Sequence, residues 1–234
     1  MWIAISSCTI QEPQVDRLSE FNNAVGKAYA HYRQATFYLG TGNTGIAALE
    51  LTQMRILWRG ITVRFAADPP EAFRNDSSWQ ETLVLIEEVI DHAIASATLG
   101  DVNGATAAIQ PIRGILSQLR ERNGVTVFSD CINEMNAAMD HLYYYRKNPP
   151  ELADATVMGD FVKRLDDTSS VYARCYALAP VRLRSNEAFS RFMDSAGQAF
   201  RRIDDAILNN DQITLINILR ELRSTDRMLF LQFG

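Results

Sequence analysis

The sequence predicts an all-α protein of about eight antiparallel helices, built as two tandem four-helix up-down bundles, with a helical-repeat solenoid as the alternative. Two observations carry this. Apolar residues recur at spacings of three and four almost throughout, and no sustained two-residue alternation competes as a strand pattern. Glycine and proline, only 12 and 7 of 234 residues, sit mostly where that periodicity stops.

The first seam is Leu18, Phe21, Val25, Ala28, Tyr32, Ala35 and Leu39, a helix from about Val15 to Leu39 with Gly40 at its C-terminal cap. A second helix runs from about Thr44 to Phe65, with Ile46, Leu49, Ile56 and Leu57 as its seam. It stops before "DPPEAF", where two prolines remove donors and restrict their neighbours. Ser78 with Glu81 reads as a capping box ahead of the third helix, whose seam is Trp79, Leu83, Ile86, Ile90, Ala93 and Ala97. Gly100 ends it, and Asp101 caps a fourth helix carrying Ala105, Ala108, Ile112, Ile115 and Leu119.

Asn123 and Gly124 form the break between the halves, so the first bundle covers 15–124 and the second 125–234. The fifth helix, about Val127 to Arg146, holds Phe128, Cys131, Met135, Ala138, Leu142 and Tyr145. After "KNPPEL" the sixth, about Ala155 to Leu178, holds Phe161, Leu165, Thr168, Tyr172 and Cys175. Ser185 or Asn186 caps a seventh with Phe189, Phe192, Ala196, Ala199, Ile203 and Ala206. "NND" turns the chain into the last helix, with Ile213, Ile216, Leu219 and Leu222.

The junctions "YLGTGNTGIAALEL", "TLGDVNGATAAIQP" and "ILNNDQITLINILREL" each join two helices through a Gly/Asn/Asp turn. They are similar to the helix–turn–helix of a tetratricopeptide repeat, which is what the solenoid alternative rests on. The similarity covers the junctions alone. An array has a period of about 34 residues, whereas these turns lie near 40, 100 and 210.

The formal charge is −5 and the pI near 5.3. An acidic chain lacks the basic surface that phosphate contacts need, so no nucleic-acid partner is expected. No stretch approaches the roughly 20 apolar residues of a membrane span.

The three cysteines are the most informative residues. Cys131 and Cys175 lie on the inner seams of consecutive helices, and their midpoint, 153, falls inside the connecting turn. Residues equidistant from the loop of an antiparallel hairpin meet side by side, so these thiols can face one another. They read either as a disulfide or as two buried thiols, with an oxidising compartment favouring the bond. Cys8 ends "ISSC", an aliphatic residue followed by two small ones and a cysteine. This resembles the lipobox of bacterial lipoproteins. The resemblance implies cleavage before Cys8 and lipid attachment at Cys8, with residues 1–14 as signal-peptide remnant and tether. The match departs from a full signal in that seven residues, none of them basic, precede Cys8.

Catalytic and metal chemistry have few candidates. His31, His92 and His141 fall on different helices. Glu88 and His92 share a face, but the spacing is not the paired Glu-x-x-His of a di-iron bundle, and a surface ion pair is expected. Met135 and Met139 near His141 raise a haem or metal site, with core packing the plainer reading. "GTGNTG" at Gly40–Gly45 follows a helix rather than a strand and reads as a turn. "LYYYR" at Leu142–Arg146 must turn at least one tyrosine outward, and Arg182, Arg184 and Arg191 form an arginine-rich loop. The leading expectation is a non-enzymatic cell-envelope lipoprotein, facing the periplasm, anchored only through Cys8 and binding another protein, with no cofactor, metal or catalytic residue. The alternatives are a helical bundle carrying non-covalent haem or a metal, and a cytosolic helical-repeat adaptor.

Overall fold

The computed structural model describes residues 16–152 and 154–234. The described residues are helices and turns with no strand, and they pack as two compact units, one ending at Ile115 and the other beginning at Leu116. Cys8 and the segment 1–14 lie outside the described residues. No helix among the described residues is long and apolar enough to cross a membrane.

The first unit contains α1 (Arg17–Gly40), α2 (Thr44–Phe65), α3 (Trp79–Thr98) and α4 (Val102–Ile109). Each packs on the next and α4 returns to α1, closing a four-helix ring. Tight turns reverse the chain at two corners. Gly42 and Gly100 each hold φ +79°, a conformation that glycine adopts without a Cβ clash. The left-handed residue after α1 is Gly42, since Gly40 is still helical. Caps follow local chemistry: Asp16, Asn43 and Asp101 carboxylate or amide oxygens accept from Leu18, Ile46 and Gly104 amides. The capping box expected at Ser78 does not form. Its hydroxyl caps nothing; its amide donates to Asp76 Oδ1 at 2.9 Å, and Thr82 Oγ1 donates to its carbonyl at 2.7 Å.

The core of this unit ends in an aromatic cluster. Phe73, on a single helical turn at Glu71–Phe73, meets Phe21 and Trp79, and Phe21 meets Phe65 edge-on at 5.4 Å. The indoles of Trp58 and Trp79 donate to the carbonyls of Leu83 and Phe65 at 2.9 and 3.1 Å, so neither buried N–H is orphaned.

The seam expected for α2 is inverted. Ala47, Leu51, Met54, Trp58, Ile61 and Phe65 face the core. Leu49 and Ile56 are 67 % and 56 % exposed, as is Ile46 in part, and Val63 is 87 % exposed. α2 therefore carries two apolar stripes at helical spacing. The bulkier one fills the ring and the other faces outward.

One further helix, α5 (Pro111–Glu121), follows α4. The single fourth helix expected here is thus two, because Pro111 cannot donate to a preceding turn but fits the first position of a new one. The division between units falls within α5, ahead of the Gly124 turn at φ +64°.

The second unit contains α6 (Phe128–Tyr143), α7 (Ala155–Leu178), the one-turn α8 (Val181–Arg184), α9 (Glu187–Leu208) and α10 (Gln212–Phe233). α6 packs on α7, α7 on α9, α9 on α10 and α10 on α6, again a closed ring. Asn186 and Asp211 cap α9 and α10, and Asn210 takes the left-handed position of the turn at φ 52°. The seam expected on α7 is buried throughout; on α10 it rotates to Leu215, Ile218, Leu219, Leu222 and Leu229, leaving Ile213 outside.

Candidate functional site

Cys131 on α6 and Cys175 on α7 are joined by a disulfide, with Cα atoms 5.6 Å apart. The hairpin register brings them together: each is buried at the same height from the connecting turn.

The second unit also buries a polar cluster. Asp226 on α10 is 1 % exposed. Its Oδ1 accepts from Asn136 Nδ2 of α6 at 2.7 Å and from the Tyr172 hydroxyl of α7 at 2.9 Å. Its Oδ2 accepts from Arg223 Nη1 at 3.2 Å, and Arg223 Nη2 reaches Asp140 at 2.6 Å. The guanidinium lies over the Tyr143 ring, 5.5 Å from its centroid. Burial raises the Asp226 carboxyl above its ordinary range, while the hydrogen bonds from Asn136 and Tyr172 and the Arg223 charge pull it back. The Tyr172 hydroxyl is pushed well up, first by burial and then by the Asp226 carboxylate. Three helices are therefore tied at one carboxylate whose oxygens are already occupied, an arrangement that clamps the bundle. Only the burial of Asp226 had a signal on the chain: with Leu222 and Leu229 on the seam, helical spacing puts Asp226 inside as well.

A related tie holds the turn after α6. The Tyr145 hydroxyl donates to Asp160 at 2.6 Å, and burial with that bond pushes the phenol up to about 12. Of the "YYY" run, Tyr145 is buried, Tyr144 exposed, and Tyr143 half-buried beneath arginines.

The third feature is the outward stripe of α2. Ile46, Leu49, Gln53, Ile56, Gly60 and Val63 repeat at alternating steps of three and four, a heptad pattern along the whole helix. Polar and charged contacts border it on both sides. Towards α1, Glu50 meets His31 at 2.7 Å and Arg64 meets Glu20 at 2.8 Å. Towards α3, Arg55 meets Asp91 at 3.0 Å and Arg59 meets Glu87 at 2.6 Å. A Cβ added at Gly60 meets nothing within 4 Å, so the fold of the unit does not call for glycine there.

The residues considered for metal chemistry are not brought together. Met135 and Met139 are core, His141 is exposed, and Glu88 and His92 are exposed on α3. No group of three metal-ligating side chains occurs among the described residues. Arg182, Arg184 and Arg191 are all exposed.

These features define an all-α protein of two helical units, the second tied internally by a disulfide. No protein-family model, curated protein or solved structure matches the chain.

Proposed function

We propose that this chain is a non-enzymatic module of a bacterial cell envelope, held to the membrane by a lipid on Cys8, facing the periplasm, and acting by binding protein through its helical surface. The observation that carries this reading is the Cys131–Cys175 bond. Disulfides persist in oxidising compartments and are rare in the cytosol. The bond also accounts for two of the three cysteines, leaving Cys8, in its lipobox-like setting, as the odd one. Two further features support a binding role: the outward apolar stripe of α2, of the kind that marks interaction sites, and the full internal engagement of Asp226, which suits architecture better than turnover.

The test is expression of the gene from its own upstream region in a bacterium, with metabolic labelling by a fatty acid. Label in the membrane fraction, lost together with membrane retention in Cys8→Ser, is expected. An unlabelled protein, or label that survives Cys8→Ser, overturns the reading.

A further inference from the structure

The outward stripe of α2 is complementary to itself. If two copies of α2 run antiparallel and overlap over their full 22 residues, about 33 Å, Ile46 lies opposite the partner's Val63, Leu49 opposite the partner's Gly60, and Gln53 opposite the partner's Ile56. The two-fold axis repeats each pair. A large side chain thus meets the one position without a side chain, twice, and the exposed glycine acquires a purpose: it is the hole that receives Leu49. Mid-helix glycine is unfavourable relative to alanine, and nothing within the unit demands it.

The charges agree. In this register Arg59 lies beside the partner's Thr52, and Glu50 beside the partner's Leu57, so no like charges face each other. A parallel pairing would set Arg59 against the partner's Arg64, since flanking positions five apart approach in parallel helix pairs. It would also stack glycine on glycine, leaving a gap, and glutamine on glutamine. Gln53, one polar residue in an otherwise apolar or open stripe, favours a single register.

We propose that two copies of this chain associate antiparallel along the outward face of α2, with Leu49 of each seated on Gly60 of the other. The inference rests on reading that stripe as a binding surface, and it is independent of a lipid on Cys8.

Sedimentation equilibrium of the full chain tests it. The expected result is a dimer at micromolar concentration, unchanged in Cys8→Ser. Ile56→Asp should be monomeric over the same range with an unchanged helical circular dichroism spectrum. Gly60→Leu should weaken association at least tenfold with an unchanged helical circular dichroism spectrum, because a Cβ there meets nothing within 4 Å in the monomer, whereas the side chain meets a filled hole in the dimer. Spin labels at Thr44→Cys, in a Cys8→Ser background, should lie about 30 Å apart in the antiparallel pair, against about 10 Å in a parallel one. A wild-type monomer overturns the proposal, including one whose stripe is covered only by a different protein. So does a dimer that survives Ile56→Asp, or a short label distance. Failure of fatty-acid labelling leaves each of these outcomes intact, so the two readings fall separately.

Discussion

Cys131 and Cys175 face one another across the α6–α7 hairpin, Cα to Cα 5.6 Å, each the same distance along the chain from the turn that joins their helices. The bond closes a loop of 44 residues.

In the chain-entropy account a loop of that length removes about 4 kcal/mol of unfolded-state freedom. Cys131→Ala/Cys175→Ala is expected to lose about 2–4 kcal/mol in denaturant unfolding. Thiol titration of the unreduced, denatured chain should count Cys8 alone where that sulfur carries no lipid, and no thiol where it does; reactive thiols at Cys131 and Cys175 would contradict the bond.

The Asp226 cluster should be costly to break from one side. Asp226→Ala leaves Arg223 and the Tyr172 hydroxyl without their shared acceptor, and about 3 kcal/mol of destabilisation is expected. Tyr172→Phe removes one hydrogen bond and should cost about 1–2 kcal/mol. The order of the two midpoints in urea is the check; equal effects would mean the carboxylate is not the hub.

The same carboxylate has a pH signature. Its folded-state pKa lies above the ordinary 3.8, so the folded chain holds this proton more tightly than the unfolded chain. Stability from this group is therefore present at low pH and falls as pH rises from 3.8 through the raised value. The charged and polar groups facing it are Arg223, Asp140, Tyr172 and Asn136. Relative to wild type, Asp226→Asn should gain in Tm as pH rises through that window. A difference that is flat or of opposite slope would contradict the buried placement. Tyr172 adds a loss above pH 10.0, where the unfolded phenol ionises and the folded one does not.

Two glycines should respond with opposite signs. Gly100 holds φ +79°, and Gly100→Ala should cost about 1 kcal/mol. Gly26 lies within α1 with open space around a new Cβ, and Gly26→Ala should add about 0.5–1 kcal/mol. Thermal unfolding of both variants decides it.

Particular elements show how far periodicity reaches. On α7 a single apolar stripe runs through Phe161, Leu165, Tyr172 and Cys175, and all four are buried as spacing alone requires. On α2 spacing alone is degenerate, because Leu49, Ile56 and Val63 recur as regularly as Leu51, Trp58 and Phe65. On α10 the expected seam omits Asp226, since a carboxylate is counted as surface unless its partners are known.

By itself the sequence determined the all-α class, the positions of most turns, and the hairpin register that makes Cys131 and Cys175 neighbours, because these depend on local spacing and on residues near in the chain. Tertiary structure decided which face of α2 turns inward and what Asp226 is for. The Trp58 indole finds its acceptor only on α3, at Leu83. Asp226 is bearable in the core only because Asn136 and Tyr172 arrive from two other helices, 90 and 54 residues away, to join Arg223. Such partners are set by packing, and no local pattern encodes them.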